Sequence, residues 1–269
     1  MSGLAVSYPA PVDEEEVQFT ILGSGSSGNA SYLETPGARV LIDCGFSAKR
    51  IRTSLLELDR TPERLDGILI THEHSDHIQG VARFAARHGT PVWMTPGTAS
   101  SSAARKLTQI NTFNYHRELK IGAIDVQPFP VPHDAREPSQ FVFRAGDRKL
   151  GILTDTGHIT AHICERLEGC DALALECNHD LDTLWNGAYP EHLKARVASS
   201  LGHLNNSQTA DLLGAVGHRE LQWVVALHLS EKNNSPDLVH KSLVERLDHP
   251  RQSLHVATQD EPSGWIAID

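Results

Sequence analysis

A dense group of metal-binding side chains follows an apolar, strand-like segment of the chain. The segment ITHEHSDHIQG spans residues 70–80 and holds histidines at 72, 74 and 77 and an aspartate at 76. One ion cannot easily use four neighbours from one short loop, so the H-x-H-x-D-H pattern predicts two adjacent ions. Imidazole suits Zn, Mn, Fe or Ni, and a carboxylate adds negative charge. His72, His74, Asp76 and His77 are therefore the first predicted metal ligands.

Length and composition indicate the domain organisation and the class of protein. The chain has 269 residues, of which 39% are hydrophobic, enough for one sizeable core. We expect residues 1–16, with two prolines and an acidic run, to form a flexible tail and residues 17–269 to form a single catalytic domain. The apolar runs are too short to cross a bilayer, and the first residues do not resemble a signal peptide. The four cysteines include no C-x-x-C pair, so we expect reduced thiols and a cytoplasmic protein.

Strand-like and helix-like segments alternate along the chain. This mixture predicts an α/β protein with two sheets and helices packed outside them. Helical patterns include residues 98–107 and 190–200, and Asn206 and Ser235 are the expected N-caps of the last two helices. The strand-like segments are residues 17–22, 40–43, 67–71, 91–94, 124–129, 140–143, 150–154, 172–176, 223–227 and 254–257.

Three more candidate ligands lie at the ends of predicted strands. They are His133 in VPHD, Asp155 in LTDTG and His228 in LHLS. A carboxylate between two histidine-bound ions makes a good bridge, and Asp155 fits that role. Each residue alone could be a polar side chain that merely caps a loop. Together with the histidine cluster, they predict a complete two-metal site.

A histidine and a glutamate are the candidates for proton transfer. His203 lies in the glycine-containing loop LGHLNN, and Glu176 ends the predicted strand at residues 172–176. A carboxylate that holds one ring nitrogen raises the imidazole pKa and orients the other N–H. A departing alkoxide needs a proton, so this pair would favour a phosphodiesterase. The alternative is an exposed loop histidine beside an ordinary strand-end acid.

The ordered set THEHSDH, His133, Asp155 and His228 resembles the metallo-β-lactamase fold. The segments LGSGSSGN and LIDCG near the start of the chain are similar to its first strands. The resemblance implies a four-layer αβ/βα sandwich with two divalent ions at one edge. It also implies one ion on His72, His74 and His133, a second on Asp76, His77 and His228, and Asp155 between them.

Further motifs resemble the YycJ (WalJ) family within this fold. They include DCGFSAKRI, VPHDAREP, LTDTGHI, LECNHD, NGAYPEHLKAR and LHLSEKNN. The resemblance implies a 5′-to-3′ exonuclease on double-stranded DNA that acts in mismatch repair through a hydroxide held by two Zn or Mn ions. Asp76, Glu176 and His203 would be catalytic. The usual family loop reads closer to GHLSN, so Asn205 is a departure that leaves the role of His203 intact.

Charge and basic side chains bear on the DNA partner. The net charge of −10 alone argues against a nucleic-acid partner, but two divalent ions would add about +4 at the site. Lys194 and Arg196 are the first candidates for gripping DNA, and Tyr189 or Trp185 could stack on a terminal base. Two weaker groups of candidates for DNA contact are Lys49, Arg50 and Arg52, and Arg144, Arg148 and Lys149. Ser230, Asn233 and Asn234 are weak candidates for binding phosphate oxygens. His179 and Asp180 are candidates for supporting the ligand residues.

Other functions remain open at the level of sequence. A small-molecule phosphodiester or thioester hydrolase of the same fold would keep the metal ligands without needing the Glu176–His203 pair. An RNA-processing nuclease and a non-catalytic metal-binding protein are further alternatives. The expected partners are duplex DNA with a free 5′ end and repair proteins, with no membrane, and no pattern indicates an oligomeric state.

Overall fold

Two seven-stranded sheets face each other in the computed structural model, which describes residues 16–247 and 249–269. The predicted tail therefore lies outside the described residues, apart from Glu16. The strands are β1 (Val17–Gly23), β2 (Ala30–Thr35), β3 (Ala38–Ile42), β4 (Gly67–Leu69), β5 (Val92–Met94), β6 (Asn111–Thr112), β7 (Leu119–Ile121), β8 (Ile124–Pro130), β9 (Ser139–Ala145), β10 (Arg148–Leu153), β11 (Ala172–Glu176), β12 (Trp223–Leu227), β13 (Ser253–Val256) and β14 (Ile266–Ile268).

Helices connect many of the strands. They are α1 (Ala48–Glu57), α2 (Ser75–Ile78), α3 (Val81–His88), α4 (Pro96–Ala99), α5 (Ala161–Leu167), α6 (Leu181–Asn186), α7 (Glu191–Val197), α8 (Asn206–Val216) and α9 (Pro236–Leu243). Short 3-10 helices cover Pro62–Arg64, Ala104–Lys106 and Val244–Arg246.

Each sheet has an antiparallel half and a parallel half. The first runs in the order β14-β1-β2-β3-β4-β5-β6 and the second in the order β13-β12-β11-β10-β9-β8-β7. Strands β3 to β6 are parallel to one another, and so are β10 to β13. Parallel strands end at the same edge of a sheet, and residues that follow them meet there. The histidine-rich loop follows β4 of the first sheet, whereas His133, Asp155 and His228 follow β8, β10 and β12 of the second sheet and Glu176 ends β11. The site therefore forms where these strand ends of the two sheets meet.

Three apolar clusters produce the layers. The central cluster joins the inner faces of both sheets, for example Ile21 and Val40 from the first with Phe141 and Val225 from the second. A second cluster packs the outer face of the first sheet against α1 and α3. A third packs the outer face of the second sheet against α5, α8 and α9. The resulting order of helices, sheet, sheet and helices confirms the predicted αβ/βα sandwich.

Two local predictions are wrong. The helix expected over residues 98–107 is broken: α4 ends at Ala99, and only a 3-10 turn follows at residues 104–106. The N-cap of α8 is Asn205, not Asn206, and its side chain accepts the N–H of Gln208 within a capping box. Ser and Asn are both strong N-caps, so asparagine can replace serine here because position 205 caps a helix. Ser235 caps α9 as predicted.

Within the described residues, no helix has the length and hydrophobicity needed to span a bilayer. All four cysteines are free thiols, and Cys44, Cys170 and Cys177 are buried.

Candidate metal centre and active site

The histidine-rich loop is held against two segments, one just before β2 and one just after β3. Asn29 donates its backbone N–H to Asp76 O at 2.7 Å, and Cys44 donates to His77 O at 2.8 Å. A Cβ added to Gly45 would lie 1.6 Å from the Asp76 carbonyl oxygen, so any larger residue would push the loop away. The DCG motif is therefore the platform on which the HEHSDH loop rests.

The first group of ligand atoms comes from two loops. His72, His74 and His133 each offer a ring nitrogen within 4.8 Å of the others. His133 Nδ1 donates to the carbonyl of Gly202 at 3.0 Å, which turns its Nε2 toward His74 Nδ1, 3.2 Å away. Two ring nitrogens that face each other so closely suit a cation between them.

The second group comes from α2 and the end of β12. Asp76, His77 and His228 offer one ligand atom each within 4.8 Å. His77 Nδ1 lies 2.7 Å from a carboxylate oxygen of Asp43, which fixes the ring and leaves Nε2 facing Asp155. A carboxylate behind a metal-ligating histidine is a common way to fix its tautomer and raise its basicity.

Asp155 lies between the two groups. Its Oδ2 is 2.6 Å from His77 Nε2 and 3.5 Å from His72 Nε2. Its Oδ1 is 2.5 Å from His228 Nδ1 and 3.1 Å from His203 Nδ1. This placement is compatible with the predicted bridging position, which stays a prediction.

The donor set fits divalent cations. Within the described residues, buried His72 Nε2 makes no hydrogen bond, and the two carboxylate oxygens of Asp155 face imidazole nitrogens of His72, His77, His203 and His228. Buried polar atoms without partners carry an energetic penalty that a metal ion would remove. Nitrogen and carboxylate donors of this kind suit Zn and Mn alike. The fold and the histidine–aspartate groups together indicate divalent-metal binding.

Burial and close charges shift the pKa values of these residues in opposite directions. Burial lowers the pKa of His72 well below its usual value, and the neighbouring His77 lowers it further. Burial would also lower the pKa of His77, but the charges of Asp155, Asp43 and Asp76 outweigh it and raise that pKa well above the usual value. Burial would raise the pKa of Asp155, yet His228 and His77 hold it well below normal.

The predicted Glu176–His203 pair is in contact. His203 Nδ1 lies 2.7 Å from Glu176 Oε1, while Glu176 Oε2 accepts the backbone N–H groups of Thr156 and Leu204 at 3.0 and 3.2 Å. Burial would lower the pKa of His203, but the charges and hydrogen bonds of Glu176 and Asp155 raise it to about 9. His203 Nε2 makes no hydrogen bond within the described residues, and the ring borders the cleft above the site.

Gly202 sets the position of His203 and His133 together. A Cβ on Gly202 would lie 2.3 Å from the carbonyl oxygen of Arg196 and 2.2 Å from that of Val197 at the end of α7. The close approach lets His203 donate its N–H to Val197 O at 2.9 Å. The Gly202 carbonyl meanwhile orients His133, so the Gly-His motif links the proton-donor candidate to the metal ligands.

Several residues around the site were not assigned a role from the sequence. Asp43 orients His77, and its own backbone has a left-handed φ of 61°. The predicted ligand His228 likewise has a left-handed φ of 55°, and two residues without a predicted role, Ser24 and Asn178, hold it. Its N–H is accepted by Ser24 Oγ at 2.9 Å, and its carbonyl accepts the amide of Asn178 at 3.0 Å. A left-handed non-glycine residue costs roughly 1–2 kcal/mol, so these contacts hold a strained ligand candidate in place. A polar residue just after the third strand was the available signal for Asp43.

A cleft of about 380 Å³ opens above the ligand groups. Among the described residues that line it, Arg196 is the one with a permanent positive charge, and Tyr189 borders the same cleft. Lys194 was wrongly predicted to grip DNA: it is 6% exposed, and its ammonium donates to Trp185 O and to Glu191 at 2.9 Å each. The stacking role of Tyr189 or Trp185 stays a prediction.

The two weaker groups of basic residues predicted to contact DNA lie in different surroundings. Arg148 and Lys149 begin β10, whereas Asp155 follows its far end, roughly 20 Å away at about 3.3 Å per residue. The Arg144–Lys149 hairpin therefore lies away from the site. Arg50 is held by Asp260 and Gln259 and stacks on Phe46. Lys49 and Arg52 stay predictions.

The remaining polar candidates are mostly structural. Asn234 exchanges amide hydrogen bonds with Asn206 and donates to Cys177 O, so its side chain is not available for phosphate. Asn233 is 1% exposed, whereas Ser230 borders the cleft. Asp180 caps α6 by accepting from Thr183. His179 is buried, and burial lowers its pKa to about 4.

Comparison with known proteins places the chain in a family. Residues 38–228 match the beta-lactamase superfamily domain. The chain is 38% identical over 237 residues to exodeoxyribonuclease WalJ of Streptococcus pneumoniae serotype 2, covering 86% of this chain and 88% of that protein. It is 33% identical to exodeoxyribonuclease YycJ of Bacillus anthracis, covering 86% and 89%.

A solved structure supports the fold. The metallo-β-lactamase fold protein YhfI from Bacillus subtilis superposes with a TM-score of 0.71 at 15% identity, covering 92% of this chain and 99% of that one. At this identity the likeness concerns the fold alone. The sequence matches go further: this chain is an enzyme of the WalJ/YycJ family within the metallo-β-lactamase-fold hydrolases.

Proposed function

We propose that this protein is a metal-dependent phosphodiesterase that degrades double-stranded DNA from 5′ ends. The observation that carries the proposal is the contact between Glu176 and His203 beside two groups of metal-ligand candidates. Hydrolysis of a phosphodiester needs both an electrophilic centre and a proton for the leaving alkoxide. The names of the two relatives, both exodeoxyribonucleases, support DNA as the substrate.

The side chains divide the work in the proposed reaction. Two divalent ions, Zn or Mn, supply electrophilic activation of phosphate and water when bound. His72, His74 and His133 would hold one, and Asp76, His77 and His228 the other, with Asp155 between them. His203 donates a proton from Nε2 to the leaving oxygen, while Glu176 holds Nδ1. Glu176 is itself fixed by two backbone N–H groups, so the imidazole keeps one orientation throughout the reaction.

A leaving-group comparison tests the role of His203. A p-nitrophenolate leaves without protonation, whereas the alkoxide of DNA does not. We expect His203→Ala to reduce kcat on linear duplex DNA by about 10² to 10⁴ and to change kcat on bis-p-nitrophenyl phosphate far less. Metal content is measured in the same samples by inductively coupled plasma mass spectrometry. Equal losses on both substrates at full metal content would show that His203 is not the proton donor.

Small phosphodiesters are the second candidate substrates. The cleft volume of about 380 Å³ is within the range of small-ligand pockets, and the net charge is −10. The ratio of kcat/KM for duplex DNA to that for a cyclic mononucleotide decides between them. We propose DNA, with a ratio well above one, and a role in mismatch repair in the cytoplasm. A ratio below one would assign the site to small phosphodiesters.

A further inference from the structure

Arg196 lines the cleft, and the proposed reaction assigns no role to its side chain. Its Nε donates to Asp134 Oδ2 at 2.7 Å, and 58% of its side chain is exposed. Within the described residues, its two Nη groups have no hydrogen-bond acceptor. One edge of the guanidinium is therefore fixed by a carboxylate, its Nη groups remain free to bind a ligand, and the residue lines the cleft. An open guanidinium edge matches the geometry of phosphate oxygens.

Asp134 separates Arg196 from the metal-ligand candidates. Asp134 Oδ1 lies 3.5 Å from His133 Nε2 and 3.6 Å from His74 Nε2, while Oδ2 faces Arg196. The guanidinium therefore lies one side chain further out than the rings that would hold the ion. A phosphate attacked at the metal centre would be next to those rings. In the proposed binding mode, the phosphate one nucleotide along the strand would lie further out, beside Arg196.

The backbone fixes this arrangement as well. Asp134 donates its N–H to Leu201 O at 3.1 Å, in the loop that precedes His203. Arg196 belongs to α7, whose last carbonyls pack against Gly202. The arginine, its carboxylate partner and the His203 loop thus form one connected unit at the cleft.

We propose that Arg196 binds the phosphate next to the scissile one, and that Asp134 is a positioning residue for Arg196. This inference rests on the proposed phosphodiesterase function and adds a requirement to it: a good substrate carries at least two successive phosphates. The site would then favour a polynucleotide over a single diester, although Arg196 is the one lysine or arginine among the described residues that line the cleft.

Equilibrium binding gives a test that needs no turnover. Fluorescence anisotropy of a labelled duplex is followed in EDTA at several salt concentrations for the parent, Arg196→Ala and Arg246→Ala. Arg246 is a matched control, since it is 45% exposed and pairs with Asp211 at 3.3 Å on the outer helices. We expect Arg196→Ala to weaken binding on the order of 10-fold and to lower the slope of log K against log salt by about 0.9. Equal slopes for both variants would overturn the proposal.

Substrates with one or two phosphates test which phosphate is bound. The parent should cleave dTpdTpdT with a higher kcat/KM than dTpdT, and Arg196→Ala should lower kcat/KM on dTpdTpdT more than on dTpdT, which removes that preference. Arg196→Lys should restore part of the preference. If Arg196→Ala lost activity equally on both, the arginine would act on the scissile phosphate and the proposal would be wrong. If the parent cleaved neither dTpdTpdT nor dTpdT, the proposed phosphodiesterase function would be wrong. The salt dependence of DNA binding would still test whether Arg196 binds a phosphate.

Asp134→Asn tests the positioning role. We expect Asp134→Asn to raise KM more for dTpdTpdT than for dTpdT, with metal content measured in the same samples. A loss of kcat on dTpdT equal to the loss on dTpdTpdT would instead mean that Asp134 supports His74 and His133, which would overturn its assignment to Arg196.

Discussion

Glu176 divides its two carboxylate oxygens between the backbone and two histidines. Oε2 accepts two backbone N–H groups, and Oε1 faces His203 Nδ1 at 2.7 Å and His228 Nδ1 at 3.1 Å. In Glu176→Gln, one carboxylate oxygen becomes an NH₂ group, which cannot accept a hydrogen bond. This group must face either the two backbone N–H groups or the N–H of His203, so a donor meets a donor in both orientations. We expect a loss of kcat on duplex DNA of about 10²-fold or more. Steady-state kinetics with a metal assay measures it, and an unchanged kcat would contradict the account.

Asp43→Asn should weaken metal binding. Asp43 holds His77 Nδ1 at 2.7 Å and accepts from Thr71. Asparagine tolerates the left-handed backbone at this position, so the substitution mainly removes the charge. We expect metal affinity to fall about 10- to 100-fold, measured by competition with a chromogenic chelator. Asp66→Asn is the control, because Asp66 is exposed and its carboxylate accepts the backbone N–H of Arg39, away from the histidines. Equal affinities in both variants would show that Asp43 has no such role.

Ser24→Ala should destabilise the fold around His228. Ser24 Oγ accepts the His228 N–H and donates to Asn29 Oδ1, both at 2.9 Å, in a buried setting. The buried His228 N–H would lose its acceptor, at about 1–3 kcal/mol, whereas Asn29 Oδ1 would still accept the Gly25 N–H. A domain of this size should melt roughly 2–4 °C lower per kcal/mol. Thermal melting in EDTA compares Ser24→Ala with Ser102→Ala, which removes an exposed hydroxyl; matching melting temperatures would refute the role.

Lys194→Met should change stability without changing DNA affinity. Its buried ammonium caps the Trp185 carbonyl, and losing this bond should cost about 1–2 kcal/mol of unfolding free energy. The slope of DNA binding against salt should equal that of the parent, as it should for the exposed control Lys241→Met. A slope lowered to that expected for Arg196→Ala would mean that Lys194 does reach DNA.

Metal addition should stabilise the EDTA-treated protein. An ion at 100 times its Kd adds about 2.7 kcal/mol if only the folded protein binds it. At 2–4 °C per kcal/mol, the melting temperature should rise by roughly 5–10 °C. Differential scanning fluorimetry with Zn and with Mn measures the shift. Asp76→Ala should show a smaller one, and a parent with no shift would contradict the proposed metal centre.

The sequence identified most of the fold because the apolar periodicity was clear. Strands β11 and β12 were predicted to the residue, since both are continuous apolar runs. β2 (ASYLET) was missed because polar side chains interrupt it, although all six residues are buried. The helix over residues 98–107 was wrong because Pro96 and the serine-rich stretch at 100–102 favour turns over a continuous helix.

The site was predictable where a short motif or a strand end marked it. His72, His74, Asp76 and His77 sit in one dense segment, and Asp155 and His228 follow parallel strands that end together. The contacts of Arg196 with Asp134 and of Asp43 with His77 join residues 62 and 34 positions apart in the chain. No local pattern reports such pairs. Lys194 and Arg196 look equivalent in sequence, yet only the packing of α7 shows that one is buried and the other borders the cleft.

The central claim is that this metal centre, with His203, hydrolyses DNA from a 5′ end. The most direct test is digestion of linear duplex DNA, labelled at either the 5′ or the 3′ end, by metal-loaded parent, Asp76→Ala and His203→Ala proteins. The account predicts early release of labelled mononucleotide from the 5′ label by the parent alone. Intact duplex with either label at full metal content, or equal cleavage by all three proteins, would contradict it.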